Sequence, residues 1–188
     1  MKRIAITLLL VPIFVFGQQV KDTAKKDGVT NIERFSERSG TLIQREFIDV
    51  GSIASSGFLG SAYRCEVQLF ITTDLINKIT SKGVRFEYHY SGGKDTRLGY
   101  LDADEIDETM KAIKIIQTEI LNKKVDNYTE VFFSSRGGFS FGCNSKMQKW
   151  EIYMDLNSNR RSTETLVRLT DSEVEKLYLY LQQIKNKL

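Results

Sequence analysis

Beyond residue 40, apolar and polar positions alternate with a period of two along most of the chain and switch twice to a helical period. Residues 42–50 form a β-rich run that ends at Gly51 and the Ser55-Ser56-Gly57 breaker. Over 63–72, Cys65, Val67 and Leu69 alternate with Arg64, Glu66 and Gln68. Residues 74–83 fit either a long hairpin or one helical turn. Val84, Phe86, Tyr88 and Tyr90 then alternate with Arg85, Glu87 and His89, and Ser91-Gly92-Gly93-Lys94-Asp95 is turn material. Residues 97–101 lead into a helix carrying Ile106, Met110, Ile113, Ile116 or Gln117, and Ile120 on one side.

The second half repeats this plan. Residues 128–134 and 139–144 read as strands around an Arg136-Gly137-Gly138 turn. Trp150, Ile152 and Met154 face one way on a third strand, Asn157-Ser158-Asn159 turns the chain, and 165–169 form a fourth. A closing helix places Val174, Leu177, Tyr178, Leu181, Ile184 and Leu188 on its apolar side. Each half therefore reads ββββα, which predicts an α+β fold of antiparallel sheets with one helix closing each repeat.

The two helix starts are nearly the same phrase. Leu101-Asp102-x-x-Glu105-Ile106 matches Leu169-Thr170-x-x-Glu173-Val174, 68 positions later. In a capping box, Asp102 or Thr170 accepts from the amide three residues on, and Glu105 or Glu173 reaches back to the cap amide. Leu101 with Ile106, and Leu169 with Val174, occupy hydrophobic-staple positions. The recurrence predicts repeat units over 40–123 and 124–188 within a single domain spanning 40–188.

The N-terminal pattern predicts export, with a retained N-terminal anchor as the alternative. Lys2 and Arg3 precede an apolar stretch over 4–16, and Gly17 stands before Gln18-Gln19, the pattern of a cleaved signal peptide over 1–17. That stretch is too short to span a bilayer, so the expected destination is the periplasm or the extracellular space. Residues 18–39 are polar, mixed in charge, and read as a flexible leader. Cleavage would leave 25 basic and 24 acidic side chains, without the basic excess of nonspecific phosphate binders. Residues 40–121 carry 9 basic and 12 acidic groups and 122–188 carry 11 and 8. That imbalance is compatible with head-to-tail association into a homo-oligomer, and equally with ordinary solvated faces.

Cys65 and Cys143 share inward strand parity with apolar neighbours. In an oxidising compartment they are a candidate disulfide, worth roughly 4 kcal/mol for a loop of this length. Buried free thiols are the alternative.

The duplicated ββββα order over 41–188, with its paired helix starts, looks like the Whirly and Pur-alpha class of single-stranded nucleic-acid-binding folds. The resemblance implies the fold and, as an alternative function, single-stranded nucleic-acid binding. The lysine-rich strand signature of Whirly proteins is absent, and no binding residue is carried over.

Candidate chemistry is sparse. Asp102, Asp104, Glu105, Asp107 and Glu108 are oxygen ligands in number, but they lack an EF-hand's glycine and distal Glu, and acids in a first helical turn suit the macrodipole. No metal or cofactor is expected. Ser91-Gly92-Gly93-Lys94 lacks phosphate-loop spacing, and the single Arg136-Gly137-Gly138 is a turn. His89 is the only histidine, and its strand parity is opposite to that of both cysteines. Glu87 and Glu151 could serve hydrolysis of an envelope polymer only at a suitable separation. The remaining candidates form a ligand or partner face: Arg85, Glu87 and His89 on one strand, and Phe132, Arg136 and Tyr153 in the second half. The leading expectation is a non-enzymatic exported module that binds a protein, peptide or envelope component.

Overall fold

The computed structural model describes residues 28–56, 62–90, 95–157 and 165–188. The signal-peptide reading, the first part of the leader, the glycine turn at 91–94 and most of the turn after Asn157 lie outside these residues. Among the described residues, no helix is long and apolar enough to cross a membrane.

Eight strands form two four-stranded antiparallel sheets in sequential order. Sheet 1 holds β1 (Ile43–Ser56), β2 (Ala62–Asp74), β3 (Ile79–Tyr90) and β4 (Asp95–Asp102). Sheet 2 holds β5 (Thr129–Ser134), β6 (Ser140–Lys146), β7 (Lys149–Asp155) and β8 (Leu166–Leu169). A 3-10 turn, Ala103–Glu105, leads into helix α2 (Ile106–Ile115), and helix α3 (Asp171–Lys185) follows β8. Each sheet is thus followed by a helix, giving two ββββα units. The ambiguous 74–83 segment is a long hairpin: β2 runs to Asp74, turns through 75–78 with Lys78 at φ 55°, and returns as β3.

The leader is shorter than its composition suggests. Residues Asn31–Ser36 form a helix, α1, capped by Thr30, which accepts from the Glu33 amide while Glu33 Oε2 accepts from the Thr30 N–H at 2.8 Å. Ile32 is fully buried and Phe35 nearly so. The helix lies on β2, β3 and β4, and Gly83 makes room for it: a Cβ there would stand 3.3 Å from Ile32 and 2.7 Å from the Leu101 carbonyl. Two apolar side chains with a complete cap are enough to order a segment that is otherwise polar.

The two units share one core. Cys65, Val67, Leu69, Val84, Phe86 and Leu101 from sheet 1 meet Phe139, Phe141, Cys143, Ile152, Met154 and Val167 from sheet 2. Phe86 and Phe139 stack across the junction with centroids 4.7 Å apart. The helices supply Ile106, Ile113 and Ile116, and Val174, Leu177, Leu181 and Ile184. Their packing crosses the repeat: α2 lies against β5 and β6, whereas α3 lies against β1 as well as β8. After Ile115 helix α2 widens into a π turn over Ile116–Ile120, and Ile116, not Gln117, is buried in the core.

Candidate functional site

Period-two alternation puts Arg85, Glu87 and His89 on the outer face of sheet 1, as expected. Strand register sets Gln68 opposite Arg85 and Glu66 opposite Glu87, with Tyr100, Leu98 and Thr96 as the corresponding partners on β4. A chain of hydrogen bonds runs across the strands. Gln68 Nε2 donates to Asp49 Oδ1 at 2.8 Å, and Arg85 Nη1 donates to both Gln68 Oε1 and Glu87 Oε2. The Arg85 guanidinium also sits 4.9 Å from the centroid of the Phe47 ring, which itself stacks on Phe70. His89 follows, its Nε2 3.9 Å from Glu87 Oε1 and its Nδ1 3.4 Å from the Thr96 hydroxyl. Exposure grades along the row, from 14% of the Arg85 side chain through 21% of Glu87 to 38% of His89. A guanidinium braced in this way presents a fixed polar surface at little further cost in side-chain entropy.

Phe132 and Tyr153 lie together on the outer face of sheet 2. They flank Gly142, which pairs with both. The Tyr153 hydroxyl donates to Glu130 Oε1, two strands away, at 2.6 Å. Held in this bond, Tyr153 is only 7% exposed although its parity is outward. Burial, then the Glu130 carboxylate, push the phenol above its ordinary range. Phe132 stays 57% exposed. Beside this face a cleft of about 260 Å³ is lined by Trp150, Glu151, Ile152, Arg168, Leu169 and Asp171.

Arg136 is not part of either face. Its backbone N–H donates to Glu105 Oε1 at 2.8 Å, and its guanidinium bonds Asp102 Oδ2 at 3.1 Å and the Asp104 carboxylate. Oxygens of Asp102, Asp104 and Glu105 lie within 4.8 Å of one another, a spacing a cation could bridge, and the guanidinium supplies positive charge at that point. Burial raises the Glu105 pKa above its usual value, opposed by the N–H and charge of Arg136.

The helix starts behave differently from the simple capping boxes read in the sequence. The Asp102 side chain makes no cap bond to its own helix. Its carboxylate accepts instead from the Asn31 and Ile32 amides, at 2.9 and 3.0 Å, and so caps α1 from seventy residues away. Thr170 does cap α3, accepting from the Glu173 amide at 3.4 Å. Glu173, however, accepts from the Ala54 N–H of β1 at 2.9 Å and from Lys176. Each N3 glutamate therefore grips a backbone N–H in the other repeat: Glu105 holds the β5–β6 turn and Glu173 holds β1.

No protein-family model matches the chain, and no curated protein sequence matches it.

Cys65 and Cys143 are both buried and free, in keeping with their inward parity and with the buried-thiol reading. Burial pushes both thiols up, Cys143 to about 11, which disfavours a reactive thiolate. Glu87 and Glu151 sit on different sheets, beside Arg85 and Arg168 respectively. Sequence reading missed Asp49, Gln68 and Phe47 as supports of Arg85, because register across β1–β3 is needed to bring them together. It also missed the exposed aliphatic tip formed by Leu42, Leu75, Ile76 and Ile79.

Proposed function

We propose that the protein is an exported, non-enzymatic binding module that meets a protein, peptide or envelope component with the outer face of sheet 1. The observation that carries this reading is the braced row Asp49–Gln68–Arg85–Glu87–His89, set on Phe47 and left open to solvent at its His89 end. That row combines a fixed cation, an adjacent carboxylate and an exposed aromatic ring, a mixture suited to a polar peptide or saccharide surface. Mixed charge on the face, with Asp49, Glu66 and Glu87 beside Arg64 and Arg85, suits such partners better than a phosphate backbone. The chemistry also favours binding over catalysis: one histidine, held between Glu87 and Thr96, and thiols pushed away from reactivity.

The reading is tested by co-sedimenting the purified protein with isolated envelope fractions, peptidoglycan sacculi and outer-membrane vesicles separately. Arg85→Ala and His89→Ala should weaken retention on the fraction that binds, while Arg168→Ala on sheet 2 should not. Equal retention of all three variants would discard the sheet 1 face. Export is tested by fractionation and N-terminal sequencing, with Gln18 expected as the first residue of the mature chain.

A further inference from the structure

The four sheet edges are not protected alike. β1 is interrupted by a bulge between Asp49 and Gly51. Glu173 holds its Ala54 N–H, and Tyr180 packs directly on Gly51. β4 carries Arg97, and at Gly99 it abuts the backbone of Leu156. β8 is four residues long and includes Arg168. β5 meets α2 through the shared core, but its edge has no bulge, basic residue or side-chain clasp of this kind. Its ladder to β6 runs unbroken from Thr129 to Ser134, it contains no proline or basic residue, and its one charge, Glu130, is engaged by the Tyr153 hydroxyl. It also exposes Phe132, and Tyr128 just before the strand is 68% exposed. Natural edge strands with unpaired backbone are normally blunted by charge, bulge or cover, and one left straight and aromatic is a template for another strand.

We infer that β5 is a homodimer interface, at which β5 of a second copy adds antiparallel to form a continuous eight-stranded sheet. The strand is complementary to itself in one register. A two-fold axis through Phe132 sets Phe132 against Phe132 of the second copy on the outer face, and Glu130 against Ser134. On the inner face it sets Val131 against Phe133. Aromatic pairs placed directly across strands are favourable, and no like charges face each other. Sliding the axis to Glu130 would bring two carboxylates together, which is disfavoured. The equivalent edge of the first unit, β1, is already covered by β8 and α3, so only the second unit has an edge to offer.

The test is sedimentation velocity on protein expressed from its full-length coding sequence, over a concentration series. A concentration-dependent dimer is expected. Phe132→Glu should weaken it by about ten-fold or more, because like charges then face each other across the axis. Phe132 is exposed in the monomer, so circular dichroism and the urea midpoint should hardly change. Mixing Phe132→Glu with Phe132→Lys chains should restore dimers by pairing opposite charges. Under oxidation, Phe132→Cys should cross-link rapidly and Tyr128→Cys should not; the buried native cysteines do not interfere. A monomer at all concentrations, a dimer indifferent to Phe132→Glu, or cross-linking through Tyr128→Cys alone would overturn the proposal.

Discussion

The two helix starts differ in what their matching residues hold. At the second, Thr170 caps its own helix; at the first, Asp102 leaves that task and caps α1 while also receiving Arg136. A threonine hydroxyl has one short reach and serves one local amide. A carboxylate offers two oxygens and a full charge, so it organises three partners from distant parts of the chain. The substitution of Asp for Thr at equivalent positions thus separates a local punctuation mark from a tertiary junction.

That difference is largest in stability. Asp102→Ala should cost about 3 kcal/mol, since it leaves Arg136 and two helix amides without their buried carboxylate. Thr170→Ala should cost only about 1 kcal/mol, as a lost cap. Urea midpoints of the two variants check the ratio, and equal losses would erase the distinction. Glu173→Ala should fall between them at about 2 kcal/mol, by leaving the Ala54 amide unpaired. Faster hydrogen exchange at Ala54 in that variant would locate the effect.

A subtler contrast lies in pH. Glu105 has its pKa raised by burial, so its contribution is complete below the ordinary glutamate range and is lost as pH rises through the folded value. The stability of Glu105→Gln relative to the parent should therefore improve as pH rises above the ordinary glutamate range. Asp74 runs the other way. Hydrogen bonds from the Asn77 backbone, Thr41 and the Asn77 side chain hold its carboxyl at about 2. Its contribution is present above the usual aspartate range and is lost as pH falls toward 2, so Asp74→Asn should differ least from the parent in strong acid. Urea midpoints across the pH range measure both slopes. The smallest effect belongs to the exposed Lys185–Asp107 pair that joins α3 to α2 at 2.5 Å. Lys185→Met should change stability by less than about 0.5 kcal/mol.

The element order along the chain, both main helices and the inward parity of Cys65, Val67, Phe141 and Cys143 were legible because period-two and helical patterns are local. The outer row Arg85–Glu87–His89 was legible for the same reason. Helix α1 went unread: Thr30-Asn31-Ile32-Glu33 is a capping box, but its polar surroundings gave the segment the composition of a flexible leader. The β6–β7 turn gave no warning, because Met147 and Gln148 take positive φ where Asn or Gly would announce it. The Tyr153 hydroxyl bonds a carboxylate two strands away, and the attachment of Arg136 to Asp102 depends on packing between repeats. Neither is written in any short window of sequence.

Glu105 and Glu173 each reach into the opposite repeat, and this bears on how the molecule holds together as a chain. A lone ββββα unit would leave its N3 carboxylate without this amide and one backbone amide unclaimed, and two units satisfy each other's needs. Joining them through residues 121–128 turns that mutual capture into an intramolecular event, with an effective concentration set by a short tether instead of by supply of a partner. Severing the tether should make folding depend on protein concentration.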